Sequence, residues 1–141
     1  MKLRDILQHK GRRVFTCSPS DALSQAVGCL VEHNIGSLVV LDQERMIGIL
    51  TERDILRACD AGGGSIAGQT VRERMTGDPI IGSPDDDISH VMGIMTDHRI
   101  RHLPVVDGDE LIGLVSIGDL VKAEHAEVSQ ENHYLKCYIH G

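Results

Sequence analysis

The chain is poor in aromatic residues: it has no tryptophan, two tyrosines and one phenylalanine (Phe15, Tyr134 and Tyr138), and it carries a net charge of −7. Base stacking on single strands needs aromatic platforms, and a phosphate backbone needs a cationic surface. No nucleic-acid partner is expected. Long hydrophobic runs are missing too. The longest, Leu38-Val39-Val40-Leu41, falls far short of the roughly 20 residues of a membrane span, so no membrane partner is expected either. The opening residues Met1 to Lys10 carry positive charge but no apolar core and no small-residue cleavage site, which points to a cytoplasmic protein. Four cysteines form no C-x-x-C pair, which argues against a zinc ribbon or a dithiol redox site and for free thiols in a reducing compartment.

Other partial signals also lead away from chemistry. His98 and His102 are four apart but span a helix-to-strand junction, where a shared ligand face is lost, so no metal is expected. The acidic runs Asp85-Asp86-Asp87 and Asp107-Gly108-Asp109-Glu110 lack calcium-loop spacing and read as a helix start and a turn. Gly62-Gly63-Gly64-Ser65 has no following Lys to make it a phosphate-binding loop and reads as a flexible link. A nucleophile with a base and a third orienting group is not found, so the chain is not expected to be an enzyme.

What the sequence does contain is a duplication. An offset of 65 aligns residues 14–58 with 79–123 without a gap, and 14 of the 45 positions are identical, among them Ser18/Ser83, Pro19/Pro84, Asp21/Asp86, His33/His98, Gly48/Gly113 and Asp54/Asp119. A weaker echo at an offset of 68 relates Leu3-Arg4-Asp5-Ile6-Leu7 to Val71-Arg72-Glu73-Arg74-Met75. In each copy Ser-Pro reads as a helix start, with Ser18 or Ser83 as N-cap and the Pro at the first helical position. Leu23, Ala26, Val27, Leu30 and Val31, like Ile88, Val91, Met92 and Met95, then recur at helical spacing, and the helices should end near His33 and His98. Two β-prone runs follow in each copy, Ser37–Leu41 with Met46–Leu50 and His102–Val106 with Leu111–Val115, before second helices at Thr51 and Ser116. With short first strands near Val14–Cys17 and Pro79–Gly82, each repeat reads β-α-β-β-α.

The predicted fold class is therefore α/β (α+β), with two pseudo-twofold-related repeats packed sheet to sheet, because half a domain of this size cannot bury its own sheet. The boundaries are residues 1–65 for the first repeat with its N-terminal segment and linker, 66–125 for the second, and 126–141 for a helical tail using Val128, Leu135, Tyr138 and Ile139 to pack on the body or on a second subunit.

One pattern recurs where chemistry could sit. Gly48-Ile49-Leu50-Thr51-Glu52-Arg53-Asp54 and Gly113-Leu114-Val115-Ser116-Ile117-Gly118-Asp119 both read G-h-h-[ST]-x-x-D. An [ST]-x-x-[DE] at a helix start is close to a capping box. The same hydroxyl can face a phosphate at the helix N-terminus, and the acid can accept from a ribose diol. Both readings stand together.

Those motifs, with His33-Asn34-Ile35-Gly36-Ser37-Leu38-Val39-Val40 and His98-Arg99-Ile100-Arg101-His102-Leu103-Pro104-Val105-Val106-Asp107, make each repeat resemble the cystathionine-β-synthase (CBS) domain. The two copies together resemble a stand-alone tandem CBS pair, or Bateman module, over roughly residues 3–123. The resemblance implies a regulatory sensor that binds an adenosine-containing ligand such as AMP, ADP, ATP, NAD or S-adenosylmethionine between its repeats, forms a homodimer and signals to a regulated protein that the sequence does not name. It implies no catalytic cofactor. Carried over residue by residue, Asp54 and Asp119 would hold ribose, Thr51 and Ser116 would face phosphate, and Ile35, Gly36 and Ser37 with Ile100, Arg101 and His102 would line the sites. Thr16 and Ile81 would offer backbone to the adenine edge, Ile35, Ile100 and Pro104 would sandwich the ring, and Arg101, His102 and Arg53 would neutralise phosphate. The site with Ser116 and Asp119 ranks first, because Arg101 and His102 belong to the same repeat. The alternative is a structural dimerisation module with an empty cleft.

Overall fold

Aliphatic and β-branched runs separated by short polar turns form two hairpins in this computed structural model, which describes residues 1–140, with side chains through Ser129. In chain order the elements are α1 (Leu3–Lys10), β1 (Thr16–Cys17), α2 (Leu23–His33), β2 (Ser37–Asp42), β3 (Arg45–Thr51), α3 (Glu52–Ala61), α4 (Val71–Arg74), β4 (Thr76–Gly77), α5 (Ile88–Asp97), β5 (His102–Asp107), β6 (Glu110–Ser116) and α6 (Ile117–His140). This is the mixed α+β class expected. The chain divides into two units, one of residues Arg13–Ile80 and one combining Met1–Arg12 with Ile81–Gly141.

In the unit Arg13–Ile80 the sheet order is β1-β2-β3-β4, with β1 parallel to β2 and the other pairs antiparallel. Leu23, Ala26 and Leu30 of α2 pack with Leu38, Val40, Leu50, Ala58 and Val71 in one core. Val39 and Ile49 are buried too, so both faces of the sheet are covered. Strand β4 has no counterpart in the sequence reading. Its approach depends on Gly48, where a Cβ would sit 2.6 Å from the Thr76 carbonyl oxygen.

The other unit pairs β5 with β6 and buries Ile88, Val91 and Met95 of α5 with Leu103, Val105, Val115 and Leu120. Its expected first strand near Pro79–Gly82 shrinks to a single bridge, in which the Gly82 N–H donates to the Pro104 carbonyl at 2.9 Å and the Val106 N–H to the Gly82 carbonyl at 2.8 Å. Helix α1 completes this unit with Leu3, Ile6 and Leu7, all buried.

The structure therefore groups the chain differently from the sequence boundaries. Residues 1–12 pack with the second repeat and residues 66–80 with the first. The same docking occurs twice. Leu3 and Arg4 donate their N–H groups to the carbonyls of Asp86 and Pro84, and Val71 and Arg72 donate theirs to Asp21 and Pro19, all at 3.0 Å. Ile88 and Leu23 answer with N–H bonds to the carbonyls of Met1 (3.0 Å) and Gln69 (2.8 Å).

That docking explains why neither Ser-Pro starts a helix. A helix beginning at Pro19 would need the Pro19 carbonyl for the Leu23 N–H, but that carbonyl accepts from Arg72 and Leu23 turns to Gln69. Ser18 to Asp21 and Ser83 to Asp86 form turns instead, with the Asp carboxylates accepting from the Ser18 (2.9 Å) and Ser83 (2.8 Å) N–H groups. The helices start later, with Ala22 and Asp87 as N-caps. Val31, expected on the buried stripe of α2, is exposed.

Gly62-Gly63-Gly64 is a helix stop and not a flexible link. The Gly64 N–H reaches back to the Cys59 carbonyl (2.7 Å) and the Gly63 N–H to Asp60 (3.3 Å), with Gly63 left-handed at φ +65°, which is a Schellman cap on α3. Leu135, Tyr138 and Ile139, expected to pack, lie outside the residues whose side chains are described, and Val128 is exposed.

Two predictions follow from this geometry. Gly48→Ala must push β4 away, with an expected loss on the order of 1–3 kcal/mol in urea unfolding, and an unchanged midpoint would show that β4 does not pack there. The turn between β2 and β3 holds Gln43 and Glu44 left-handed, at φ +51° and +66°, and replacing them with Asn-Gly should raise the urea midpoint by an equivalent of about 1 kcal/mol.

Candidate functional site

Antiparallel register brings the predicted residues together at the same end of each hairpin. In the unit Arg13–Ile80, Ser37 opens β2 directly opposite Thr51, the last residue of β3 and the N-cap of α3. The Gly36 carbonyl accepts from the Glu52 N–H at 3.2 Å, which ties the start of β2 to the start of α3. Ile35 closes α2 through its N–H to the Leu30 carbonyl (3.0 Å). Ser37 is buried, and its hydroxyl has no hydrogen-bond partner among the described residues.

Asp54 completes the capping box. Its Oδ2 accepts from the Thr51 N–H (2.9 Å) and hydroxyl (3.1 Å), while its own N–H points to Thr51 Oγ1 at 3.4 Å. Thr76 of β4 donates to Asp54 Oδ1 at 3.1 Å. The acid is only 5% exposed, and its known partners are backbone and hydroxyls. Arg53, beside it on α3, is exposed.

The second unit repeats the arrangement with different chemistry. His102 opens β5 opposite Ser116, and the Arg101 carbonyl accepts from the Ile117 N–H at 2.8 Å. Ile100 closes α5 on the Met95 carbonyl (2.9 Å), and the Arg101 side chain is exposed. Asp119 Oδ2 accepts from the Ser116 N–H (2.8 Å), and the Asp119 N–H donates to Ser116 Oγ (3.1 Å). Here the acid also meets a cation. Lys10, the last residue of α1, donates to Asp119 Oδ2 at 2.6 Å and to the Leu114 carbonyl at 2.9 Å. Among the described residues Asp119 Oδ1 accepts no hydrogen bond.

Of the other predicted residues, Thr16 is exposed on β1, paired with Val39, and Ile81 is half exposed just before the Gly82 bridge. Pro104 is buried, and its carbonyl is engaged by Gly82. Each set of residues thus gathers within its own unit. Lys10 and Thr76 were missed. Their only signal was the echo at an offset of 68, which showed that both segments matter without showing which repeat each would join.

Burial works against the charge on Asp119, but the hydrogen bond and charge of Lys10 together with the bonds from Ser116 outweigh it and hold the carboxyl below its ordinary value. Burial, then the charges of Asp21 and Cys29, push the Cys17 thiol up to about 12, so it is protonated at neutral pH and inert.

Comparison with known proteins agrees with this arrangement. The CBS domain model matches residues 3–61 and again 71–126. The chain belongs to the CBS domain family. A mitochondrial CBS domain-containing protein of Arabidopsis thaliana, CBSX3, is 36% identical to it over 148 residues, spanning 99% of this chain and 72% of that protein. A CBS-domain-containing protein of Agrobacterium tumefaciens has a solved structure that is 39% identical, covers 88% of this chain and 99% of its own, and superposes with a TM-score of 0.83. The CBS domain pair of protein MJ0100, solved in complex with 5′-methylthioadenosine and S-adenosyl-L-methionine, is 27% identical, covers 90% of this chain and 98% of its own, and has a TM-score of 0.78. CBS pairs are generally regulatory modules. Among the described residues no helix is long and apolar enough to cross a membrane.

The Asp119 carboxyl makes the pH response of this CBS pair predictable. Because its folded value lies below its unfolded one, the ionised acid stabilises the fold at neutral pH, and that contribution disappears as pH falls through the folded value. The stability gap between wild type and Asp119→Asn should therefore hold at neutral pH and narrow in urea titrations as pH falls through the ordinary carboxyl range and below it. A gap that stays constant would mean that Asp119 is not ionised against Lys10.

Proposed function

We propose that this CBS pair is a regulatory sensor of an adenosine-containing ligand of the AMP, ATP or NAD type, which reports occupancy to a partner protein through altered packing. The observation that supports it most is the state of Asp119. Its carboxylate is ionised at neutral pH, sits at a helix N-terminus beside the Ser116 hydroxyl, and keeps Oδ1 open among the described residues. A ribose diol donates two O–H groups and suits such an acceptor. Arg101, just before β5, and His102, its first residue, would supply charge or N–H donors for phosphate. The adenosine ligands of the MJ0100 pair support the ligand class.

With aromatics scarce, the ring would rest on aliphatic side chains, Ile35 in one unit or Ile100 in the other. Exposed Val31, Leu56 and Val121, on α2, α3 and α6, fit a homodimer. No catalytic step is assigned.

A second reading, the structural dimerisation module, is favoured by one observation: Thr51, Asp54 and Thr76 satisfy one another without a ligand. A thermal-shift series with AMP, ADP, ATP, NAD, NADH and S-adenosylmethionine separates the two. At one hundred times its Kd a bound ligand adds about 2.7 kcal/mol of stability, and Asp119→Asn should abolish most of the rise in Tm. Should all six ligands leave the wild-type Tm unmoved, the dimerisation module is the better reading.

A further inference from the structure

The two capping acids differ in what meets them. Asp54 is held by the hydroxyls of Thr51 and Thr76 and is almost fully buried. Asp119 is held by the Lys10 ammonium at 2.6 Å, in a more open setting where the Lys10 and Asp119 side chains are 38% and 28% exposed. Lys10 arrives there by construction. The bonds from Leu3 and Arg4 to Asp86 and Pro84 fix the start of α1, Leu7 lies over Gly113 where a Cβ would meet Leu7 Cδ2 at 2.5 Å, and the helix ends one turn later at Lys10.

We propose that Lys10 is a specificity-determining residue that makes the Asp119 site select a phosphorylated adenosine ligand over an unphosphorylated one. The proposal rests on the adenosine-binding reading above. An acid that holds a ribose diol is a poor neighbour for the phosphate on the same ligand, because the two negative charges lie within one Debye length, about 8 Å at physiological salt. Lys10 cancels that charge at its source. Two of the three ammonium N–H groups are accounted for by Asp119 and Leu114, which leaves a third for an anion. With Asp119 neutralised, the positive charge of exposed Arg101, just before β5, is left in excess. The pairing engages Oδ2 only, so the diol can reach Oδ1 without displacing Lys10. At Asp54 the corresponding position is taken by the hydroxyl of Thr76, which satisfies the acid without bringing a charge.

Isothermal titration calorimetry with AMP, adenosine and S-adenosylmethionine on wild type, Lys10→Met and Lys10→Arg tests this. Lys10→Met is expected to weaken AMP about tenfold or more, the scale of one charge-assisted contact, while adenosine binds as before. Lys10→Arg should keep the preference for AMP. Equal losses for AMP and adenosine would make Lys10 a merely structural residue and overturn the proposal, as would an unchanged AMP-to-adenosine ratio in Lys10→Met. Binding of none of the three to wild type would overturn the sensor reading itself. The Lys10 proposal falls alone only when wild type binds and the ratio does not move.

Discussion

The backbone hydrogen bonds that dock each leading segment onto a Ser-Pro turn determine most of what else this molecule does. Leu3 and Arg4 close one unit on Asp86 and Pro84, and Val71 and Arg72 close the other on Asp21 and Pro19. Because the donors precede one repeat and the acceptors belong to the other, neither repeat is complete without chain from outside it. The bonds also delay the start of α2 and α5, since the carbonyls a longer helix would use are already occupied. Downstream of the docking, the chain delivers Lys10 to Asp119 in one unit and Thr76 to Asp54 in the other. The chemistry at each acid is therefore a consequence of backbone pairing several residues away.

Capping and the proposed ligand binding make compatible demands on the same residues. A helix N-terminus leaves N–H groups unsatisfied, and Thr51 with Asp54 or Ser116 with Asp119 satisfies them locally. A carboxylate has about four acceptor positions and the cap consumes only some of them. The acid is thereby held in one orientation in the absence of a ligand, which would lower the entropy lost on the proposed binding. Ser37 shows the complementary condition. Its buried hydroxyl has no partner among the described residues, and a buried hydroxyl without a bond is costly to maintain, on the order of 1–3 kcal/mol.

Much of this was legible in the sequence because the signals were local. Both hairpins follow from alternating aliphatic runs bounded by Asp42-Gln43-Glu44 and Asp107-Gly108-Asp109, and both capping boxes follow from three-residue spacing. Apart from the glycines at 62–64, held by carbonyls close by in the chain, the misread elements were decided by distant partners. Ser18-Pro19 has every local mark of a helix start, yet Arg72 takes the carbonyl that the helix needed. The glycines at 62–64 look like slack chain until the Cys59 and Asp60 carbonyls are seen to hold them. Lys10 carries no motif at all. Its place beside Asp119 depends on α1 joining the second repeat, which nothing within residues 1–12 announces.

Sequence divergence between the repeats acquires a physical direction from this. Gly36-Ser37 against Arg101-His102 differs in charge and size, and Thr76 against Lys10 differs in the same sense at the acid itself. A hydroxyl can satisfy a buried carboxylate but leaves its charge in place, whereas an ammonium cancels the charge and keeps the acceptor geometry. A duplicated module with two identical sites would respond to one ligand at two places with equal affinity. On the proposed sensor reading, unequal compensation of the two acids would let the two sites answer different ligand charges. Each ligand would then shift the conformational equilibrium only by its own differential affinity, which is the physical requirement for one small fold to read two ligands separately.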